Sequence, residues 1–418
     1  MSIVLTIIEL LIIITIVATV HEFGHFIFAK IFHMTVQEFS IGFGKKIFQK
    51  EYKGTKYSIR LIPFGGYVAI EGEEGNSEDK NAFSNKPCWQ RIVVLVMGVI
   101  FNAILSVVIL LGVNGTSGVL STKVTEFSED SALVQAGLQI GDEITKVGNI
   151  TTNIYQDILR YDNVDKNTVD VQYIRDGKEY IVTVNDIIRT KGYIGVYFDA
   201  SKLNENKELL SYVYMVNGGS VAETAGLKSG DLVLKVNDVD VSTAEEVTDI
   251  LSRSANQETI LKVLRDNKEI DIKLVPDIMN YVDLGITDAQ LEEASLANAW
   301  YKSMYTVITI AESYGDLFTG KVGIDQLSGI VGVGQMVSKA QNFLELLSLT
   351  AMISLAVGIA NILPFPPLDG GKGVLVSIEW ISKKKVPEKI ELVLSYIGLA
   401  LLILLTILVT IKDIIRIF

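Results

Sequence analysis

The sequence predicts a polytopic α-helical membrane protein that carries a soluble α+β insert. Four stretches of the 418-residue chain each hold close to the roughly 20 apolar residues needed to cross a hydrocarbon core. A strand-like, glycine-studded segment lies between the first two stretches, and a long charged region with an internal repeat lies between the second and third. The predicted fold therefore has four transmembrane helices, a membrane-associated β hairpin or sheet, and two inserted α+β domains.

The apolar stretches set the order of the elements. The first stretch lacks a basic segment before it and a small-residue cleavage site after it, so we expect it to be retained and not removed as a signal peptide. The apolar stretches are residues 3–20 (continuing to about residue 31), 92–113, 344–363 and 390–411. The predicted segments are 1–35 (first span), 36–90 (β region), 91–113 (second span), 116–200 and 205–278 (inserted domains), 285–343 (amphipathic juxtamembrane segment), 344–371 (third span), and 372–418 (loop and fourth span).

Charge gives the expected orientation and excludes one class of partner. Lys and Arg concentrate in the loop after the first span and in the run 383–385 before the last, and such loops are normally cytoplasmic. We therefore expect the region 114–340 to lie outside the cytoplasm. The net charge of −12 argues against nucleic-acid binding, which normally needs a basic surface.

The sequence His21-Glu22-Phe23-Gly24-His25 lies at the end of the first apolar stretch. Residues four apart share one face of a helix, so His21 and His25 can present two imidazoles to one metal ion, with Glu22 beside it. This spacing is typical of zinc hydrolases, in which the glutamate takes a proton from a metal-bound water. Its position predicts a protease that works inside the bilayer.

A third metal ligand must come from elsewhere in the chain. The single cysteine, Cys88, excludes a cysteine-rich site, and the one remaining histidine, His33, lies just beyond the span. Asp369 follows the third apolar stretch in the sequence NILPFPPLDGG (361–371), and ionisable groups at membrane depth are usually paired or functional. A site of two histidines and Asp369, with one open position for water, is a catalytic zinc arrangement.

The charged region contains two copies of one motif. Ala136-Gly137-Leu138-x-x-Gly141-Asp142 recurs 89 residues later, beginning at Ala225, so the repeat consists of two whole domains. The motif resembles that of bacterial PDZ domains, which bind extended peptide ends by adding a strand to a sheet edge. Two small mixed domains without peptide affinity are the alternative. The 36–70 segment likewise either offers its edge to an unwound substrate strand or only packs.

These motifs together resemble the RseP-type site-2 proteases of bacteria. The resemblance covers essentially the whole chain, in the family's order, through HEFGH (21–25), GFGK (42–45), PFGGYV (63–68), the PDZ-like repeats and NILPFPPLDGG (361–371). It implies that His21, His25 and Asp369 bind Zn²⁺ and that Glu22 is the general base. It also implies that Asn361 helps to position the substrate.

The resemblance further implies a multi-pass protein of the bacterial cytoplasmic membrane, with its active site toward the cytoplasm and extracytoplasmic PDZ domains that gate access. Its substrates would be single-span membrane proteins already cut by another protease, such as anti-sigma factors or signal-peptide remnants.

Two alternatives stay open. One is a PDZ membrane scaffold with an inert metal site. The other is a membrane metalloprotease of another family, with a glutamate as third ligand.

Overall fold

The computed structural model describes most of the chain, namely residues 3–73, 75, 77–116, 118–199, 202–204, 206–319, 327, 329–340 and 342–417. The chain divides into two compact units. The helical unit is Met1–Ser117 with Ala294–Phe418, and the repeat unit is Gly118–Glu293.

Helices dominate the helical unit, and short helices accompany the strands of the repeat unit. The described helices are α1 Ile3–Ile31, α2 Cys88–Asn114, α3 Ala132–Gln135, α4 Tyr155–Leu159, α5 Val221–Thr224, α6 Ala244–Arg253, α7 Leu296–Thr319, α8 Ile330–Lys339, α9 Phe343–Ile362, α10 Asp369–Ser382 and α11 Glu388–Ile417. The described strands are β1 Val36–Tyr52, β2 Thr55–Ile70, β3 Val119–Phe127, β4 Glu143–Val147, β5 Ile150–Thr151, β6 Thr168–Arg175, β7 Lys178–Asn185, β8 Ile188–Tyr193, β9 Val196–Phe198, β10 Val213–Val216, β11 Leu232–Val236, β12 Val239–Asp240, β13 Thr259–Arg265, β14 Lys268–Leu274, β15 Asp277–Val282 and β16 Ile286–Glu292.

Four of the described helices are long and apolar enough to cross a membrane, and each predicted apolar stretch lies in one of them to within one residue. The predicted third span, 344–371, is shorter in the structure, because α9 ends at Ile362 and Asp369 begins a separate helix, α10. Capping residues explain where two of these four helices begin. Pro87 stands at the start of α2, where its missing N–H costs no helical hydrogen bond. The Asn342 side chain accepts a 3.0 Å bond from Glu345 N and caps α9. The four candidate spans are Val4–Ile31, Cys88–Asn114, Phe343–Ile362 and Glu388–Ile414.

The long strands β1 and β2 fold back on one another to form a sheet of four segments. Residues 38–41 of β1 pair with 66–69 of β2 on one side and with 56–59 on the other. The 38–41 segment is therefore internal, and the 66–70 segment of β2 lies at an edge. Gly42 has a φ of +80°, and a Cβ there would lie 2.5 Å from Ile62 O, so only glycine suits this bend.

The repeat unit holds two small α+β domains, one nested in the other. The second domain has the sheet order β12-β11-β13-β14, with β9 and β10 paired beside it. The first has the order β16-β3-β4-β6-β7, and its last strand in the chain, Ile286–Glu292, follows the whole second domain. Leu284, from the same part of the chain, lies in the first domain's core beside Ile187.

This nesting differs from the predicted segments. Residues 285–343 are predicted to form a juxtamembrane segment, but residues 286–292 pair with β3 and complete the first domain's sheet. The amphipathic part is α7, which begins at Leu296. Residues 320–326, 328 and 341 of that predicted segment lie outside the described residues. β16 pairs with β3 across the whole second domain, and such long-range pairing leaves no local periodicity in the sequence. The sequence therefore could not reveal that residues 286–292 belong to the first domain.

The repeated motif has the same structural role in both domains. Arg175 donates from Nε and Nη2 to the two carboxylate oxygens of Asp142, at 2.7 and 2.6 Å, and from Nη2 to Gly137 O at 2.9 Å. Arg265 makes the matching bonds to Asp231 and Gly226, at 2.7, 2.7 and 2.8 Å. The motif thus builds a bidentate ion pair that closes the Gly-Asp turn.

Candidate metal centre

Three metal-ligating side chains converge where α1 meets the start of α10. His21 and His25 lie one helical turn apart, with their Nε2 atoms 3.2 Å from each other. Asp369, the first residue of α10, places Oδ2 at 2.9 Å from His21 Nε2 and 3.2 Å from His25 Nε2. Within the described residues, this is the one group of three such side chains whose ligand atoms lie within 4.8 Å of one another.

The donor set and its spacing fit zinc. Two imidazole nitrogens and one carboxylate oxygen are common zinc ligands, and atoms bound to one tetrahedral zinc lie about 3.3 Å apart. The distances among the three side chains are close to this value. His25 Nδ1 lies 2.8 Å from Val94 O, so the Nδ1–H is donated to the backbone and Nε2 is left with a lone pair. Both histidines are buried, which protects such a site from competing water.

Glycines let α2 approach the histidines. A Cβ at Gly98 would lie 2.5 Å from His25 Nε2 and 2.8 Å from His21 Cε1, closer than side chains tolerate. A Cβ at Gly24, inside the HEFGH motif, would lie 2.4 Å from Met97 O. Each helix thus has a glycine where the other presses against it, and this contact places the histidine pair against α2.

Glu22 points from α1 toward the edge segment of the β sheet. Its Oε2 accepts a 3.0 Å hydrogen bond from the backbone N–H of Val68. Because Val68 lies in the outer segment of β2, this N–H points away from the paired segment of β1. The bond holds the carboxylate beside the histidines.

A cavity of 860 Å³ opens onto these groups. Its walls include His21, His25, Glu22 and Asp369, the edge segment of β2, and Asn361 at the end of α9. Asn361 uses its Nδ2 to donate to Val357 O of its own helix, at 3.0 Å. Lys372 also lines the cavity and pairs with Glu73 at 2.7 Å. The structure thus brings all five residues singled out from the sequence to one cavity.

Sequence reasoning missed the contribution of α2. Gly98 and Asn102 lie against the histidines, and the Asn102 side chain is buried, with Nδ2 3.4 Å from His21 Nδ1. An asparagine in the middle of an apolar stretch is itself a signal, because polar groups at that depth are costly. That signal was present at residue 102.

Comparison with known proteins agrees with this geometry. The family model described as Peptidase family M50 matches residues 9–405. The zinc metalloprotease RasP of Oceanobacillus iheyensis is 30% identical over 443 residues, with 99% of each chain covered. A candidate zinc metalloprotease of Fusobacterium nucleatum is 30% identical over 404 residues, covering 96% of this chain and 95% of that one. Among solved structures, the HtrA3 PDZ domain bound to a phage-derived ligand covers 22% of this chain and 91% of its own, with 22% identity and a TM-score of 0.19.

Proposed function

This chain belongs to peptidase family M50, the zinc metalloproteases of the site-2 type, and we propose that it cleaves single-span membrane proteins within or near their transmembrane segment. The observation that carries the proposal is the convergence of His21, His25 and Asp369 beside Glu22, with both histidines and the glutamate in a helix apolar enough to span a membrane. In this proposal the first three residues hold Zn²⁺ and Glu22 is the general base.

The chain's own residues account for proton transfer. A bound zinc ion would supply Lewis-acid activation of a water molecule and of the scissile carbonyl. The Glu22 carboxylate takes a proton from the water and later delivers it to the leaving amide nitrogen. Val68 N holds Glu22 in place for these transfers, at 3.0 Å. Asn361, on the cavity wall, contacts the substrate backbone and helps to position it.

The edge of the β sheet accepts the substrate as an added strand. A helical substrate hides its carbonyls in hydrogen bonds, so the segment to be cut must first unwind. The 66–70 segment of β2 is an edge that lines the cavity, and pairing with it would compensate the lost bonds. The alternative, a sheet that only packs, does not require that edge to line the cavity.

We propose that the repeat domains are PDZ domains that control access from outside the cytoplasm. The Lys-rich loops that follow the first span and precede the last would lie in the cytoplasm. Substrates are then proteins of the bacterial cytoplasmic membrane whose outer part another protease has removed. Anti-sigma factors and signal-peptide remnants belong to this class.

Cleavage of a reporter tests the reaction. The reporter is a single-span protein with a short outer part, incubated in liposomes with the purified full-length chain, and its cut site is mapped by mass spectrometry. We expect a cut inside the apolar segment that is lost in Glu22→Gln and after zinc chelation. A zinc-loaded chain that cuts only outside that segment would favour a surface metalloprotease, and a chain that neither binds zinc nor cuts would favour the scaffold.

Because one repeat domain is nested in the other, the choice of deletion matters for a test of whether these domains control access. Residues 286–292 pair with β3, so a deletion ending before them would leave one strand of the first domain's sheet behind without its partner. The deletion should therefore remove the whole repeat unit, Gly118–Glu293, and join its flanks by a short linker. Cleavage of substrates with intact outer domains would support exclusion by size. Slower cleavage of every substrate would support recognition of the new peptide end instead.

A further inference from the structure

Asn102 is a buried polar residue whose hydrogen bonding is incomplete. It is fully buried in α2, and its backbone oxygen accepts a 2.9 Å bond from Ser354 Oγ. Its Nδ2 lies 3.4 Å from His21 Nδ1, while its Oδ1 has no partner among the described residues. A buried amide oxygen without a donor is costly, so this arrangement needs an explanation.

Turning the amide by 180° gives the Asn102 oxygen a donor. The oxygen and nitrogen of an asparagine amide exchange places in that rotation, which would put Oδ1 next to His21 Nδ1. His21 Nε2 faces Asp369 Oδ2 and His25 Nε2, so a lone pair there requires the proton on Nδ1. The Nδ1–H of His21 then donates to Oδ1 of Asn102, and neither group is left unpaired.

The same face of α2 serves both histidines. Val94, Gly98 and Asn102 are spaced by four residues and so lie along one face of the helix. Val94 O accepts from His25 Nδ1 at 2.8 Å, Gly98 makes room for both rings, and Asn102 lies against His21 Nδ1. One histidine is thus oriented by a backbone carbonyl and the other by a side chain.

We propose that Asn102 is a positioning residue that fixes the tautomer and ring orientation of His21 for metal binding. Partners of this kind around metal-ligating histidines typically change metal affinity by about 10- to 100-fold when they are removed. The inference rests on the proposed role of His21 as a zinc ligand. Asn102 itself contacts neither the metal nor the substrate.

Zinc affinity of the full-length protein in detergent tests this role. Competition with a chromogenic chelator should show about 10- to 100-fold weaker binding in Asn102→Leu, which keeps the number and branching of the side-chain heavy atoms but removes the acceptor. Asn102→Asp retains an acceptor oxygen and should restore most of the affinity. The matched control is Ser106→Ala, which removes a buried hydroxyl without a partner in the described part of the chain, one turn further along α2, and should leave the affinity unchanged.

A second readout separates positioning from packing. In protein loaded with Co²⁺, the visible ligand-field spectrum should shift in Asn102→Leu and stay unchanged in Ser106→Ala. Wild-type affinity in Asn102→Leu would overturn the inference, as would equal losses in Asn102→Leu and Ser106→Ala or failure of Asn102→Asp to recover. If Asn102→Leu does not fold, Asn102→Ala replaces it in the same comparison. A wild-type protein that binds no zinc would instead contradict the proposed function.

Discussion

In the repeat unit, each buried aspartate of the repeated motif forms an ion pair with an arginine. In the helical unit, the buried metal-ligating side chains lie against one another instead. Asp142 and Asp231 are almost completely buried, and each receives two hydrogen bonds from an arginine. Around His21 and Asp369, two ring nitrogens and a carboxylate oxygen converge instead. The first arrangement is complete without any other group, and the second brings together the donor atoms that a metal ion would need.

The comparison separates structural motifs from functional ones. Both the repeated Gly-Asp motif and the HEFGH motif are conspicuous in the sequence, but of the two only the HEFGH motif joins, with Asp369, a group of metal-ligating side chains whose donor atoms converge. A change at the metal-ligating side chains or at the residues that support them should therefore alter zinc binding without loss of fold, and a change at the ion pairs of the repeat unit should do the reverse.

The largest effect is expected for Asp369→Asn. The amide keeps the shape of the carboxylate but loses its charge, so zinc affinity should fall more than about 100-fold, beyond what loss of a supporting partner causes. Chelator competition and reporter cleavage would measure this. Glu22→Gln is the control, since it should abolish cleavage and keep zinc. Zinc retained in Asp369→Asn and lost in Glu22→Gln would identify the glutamate as the third ligand.

Gly98→Ala should have the next largest effect. The new methyl group would lie 2.5 Å from His25 Nε2, so the ring must move and zinc affinity should fall about tenfold. Gly112→Ala on the same helix is the control, because a Cβ there has open space around it. It should be neutral or stabilise α2 by up to about 1 kcal/mol. Equal zinc affinities in the two variants would show that the helix contact does not hold the histidines.

The sequence predicted the elements of the site that local spacing defines. Residues four apart on a helix must share a face, so His21 and His25 could be paired from the motif alone. Asp369 could be joined to them because a carboxylate at membrane depth requires a partner. The structure brings these three residues together, as that reasoning expected.

Contacts between distant backbones could not be predicted in this way. The bond from Val68 N to Glu22 depends on a main-chain donor, which no residue type reveals. The position of β16 in the first domain's sheet depends on pairing across the entire second domain. On α2, Asn102 was a sequence signal for the face that meets the histidines, but the apolar residues around it have no pattern that distinguishes a lipid-facing side from a packed one.

Arg175→Met tests the closed ion pair of the repeat unit. It leaves the Asp142 carboxylate buried without a cation, which should destabilise the first domain by about 3 kcal/mol, the lower end for a broken buried pair. Hydrogen exchange of β4 and β6 in the full-length protein would report this loss, while zinc affinity stays unchanged. Arg253→Met removes an exposed pair with Asp249 and should cost less than about 0.5 kcal/mol. Weaker zinc binding in Arg175→Met would contradict the division between the two units.

The smallest effect is expected at the cap of α6. The Thr243 hydroxyl accepts from Glu246 N at 3.2 Å, and the Glu246 carboxylate in return accepts from Thr243 N at 3.1 Å. Thr243→Ala removes half of this capping box and should destabilise the second domain by about 1 kcal/mol, measured by hydrogen exchange of the α6 amides. Thr248→Ala, within the same helix, loses only a bond to Ala244 O and should change stability by less than about 0.5 kcal/mol. The hydrogen bonds lost in these two variants lie within the second domain, and none of them involves a metal-ligating side chain. Zinc affinity should therefore be the same in both variants. A cap variant that lost zinc as well as stability would mean that the repeats contribute to the metal centre.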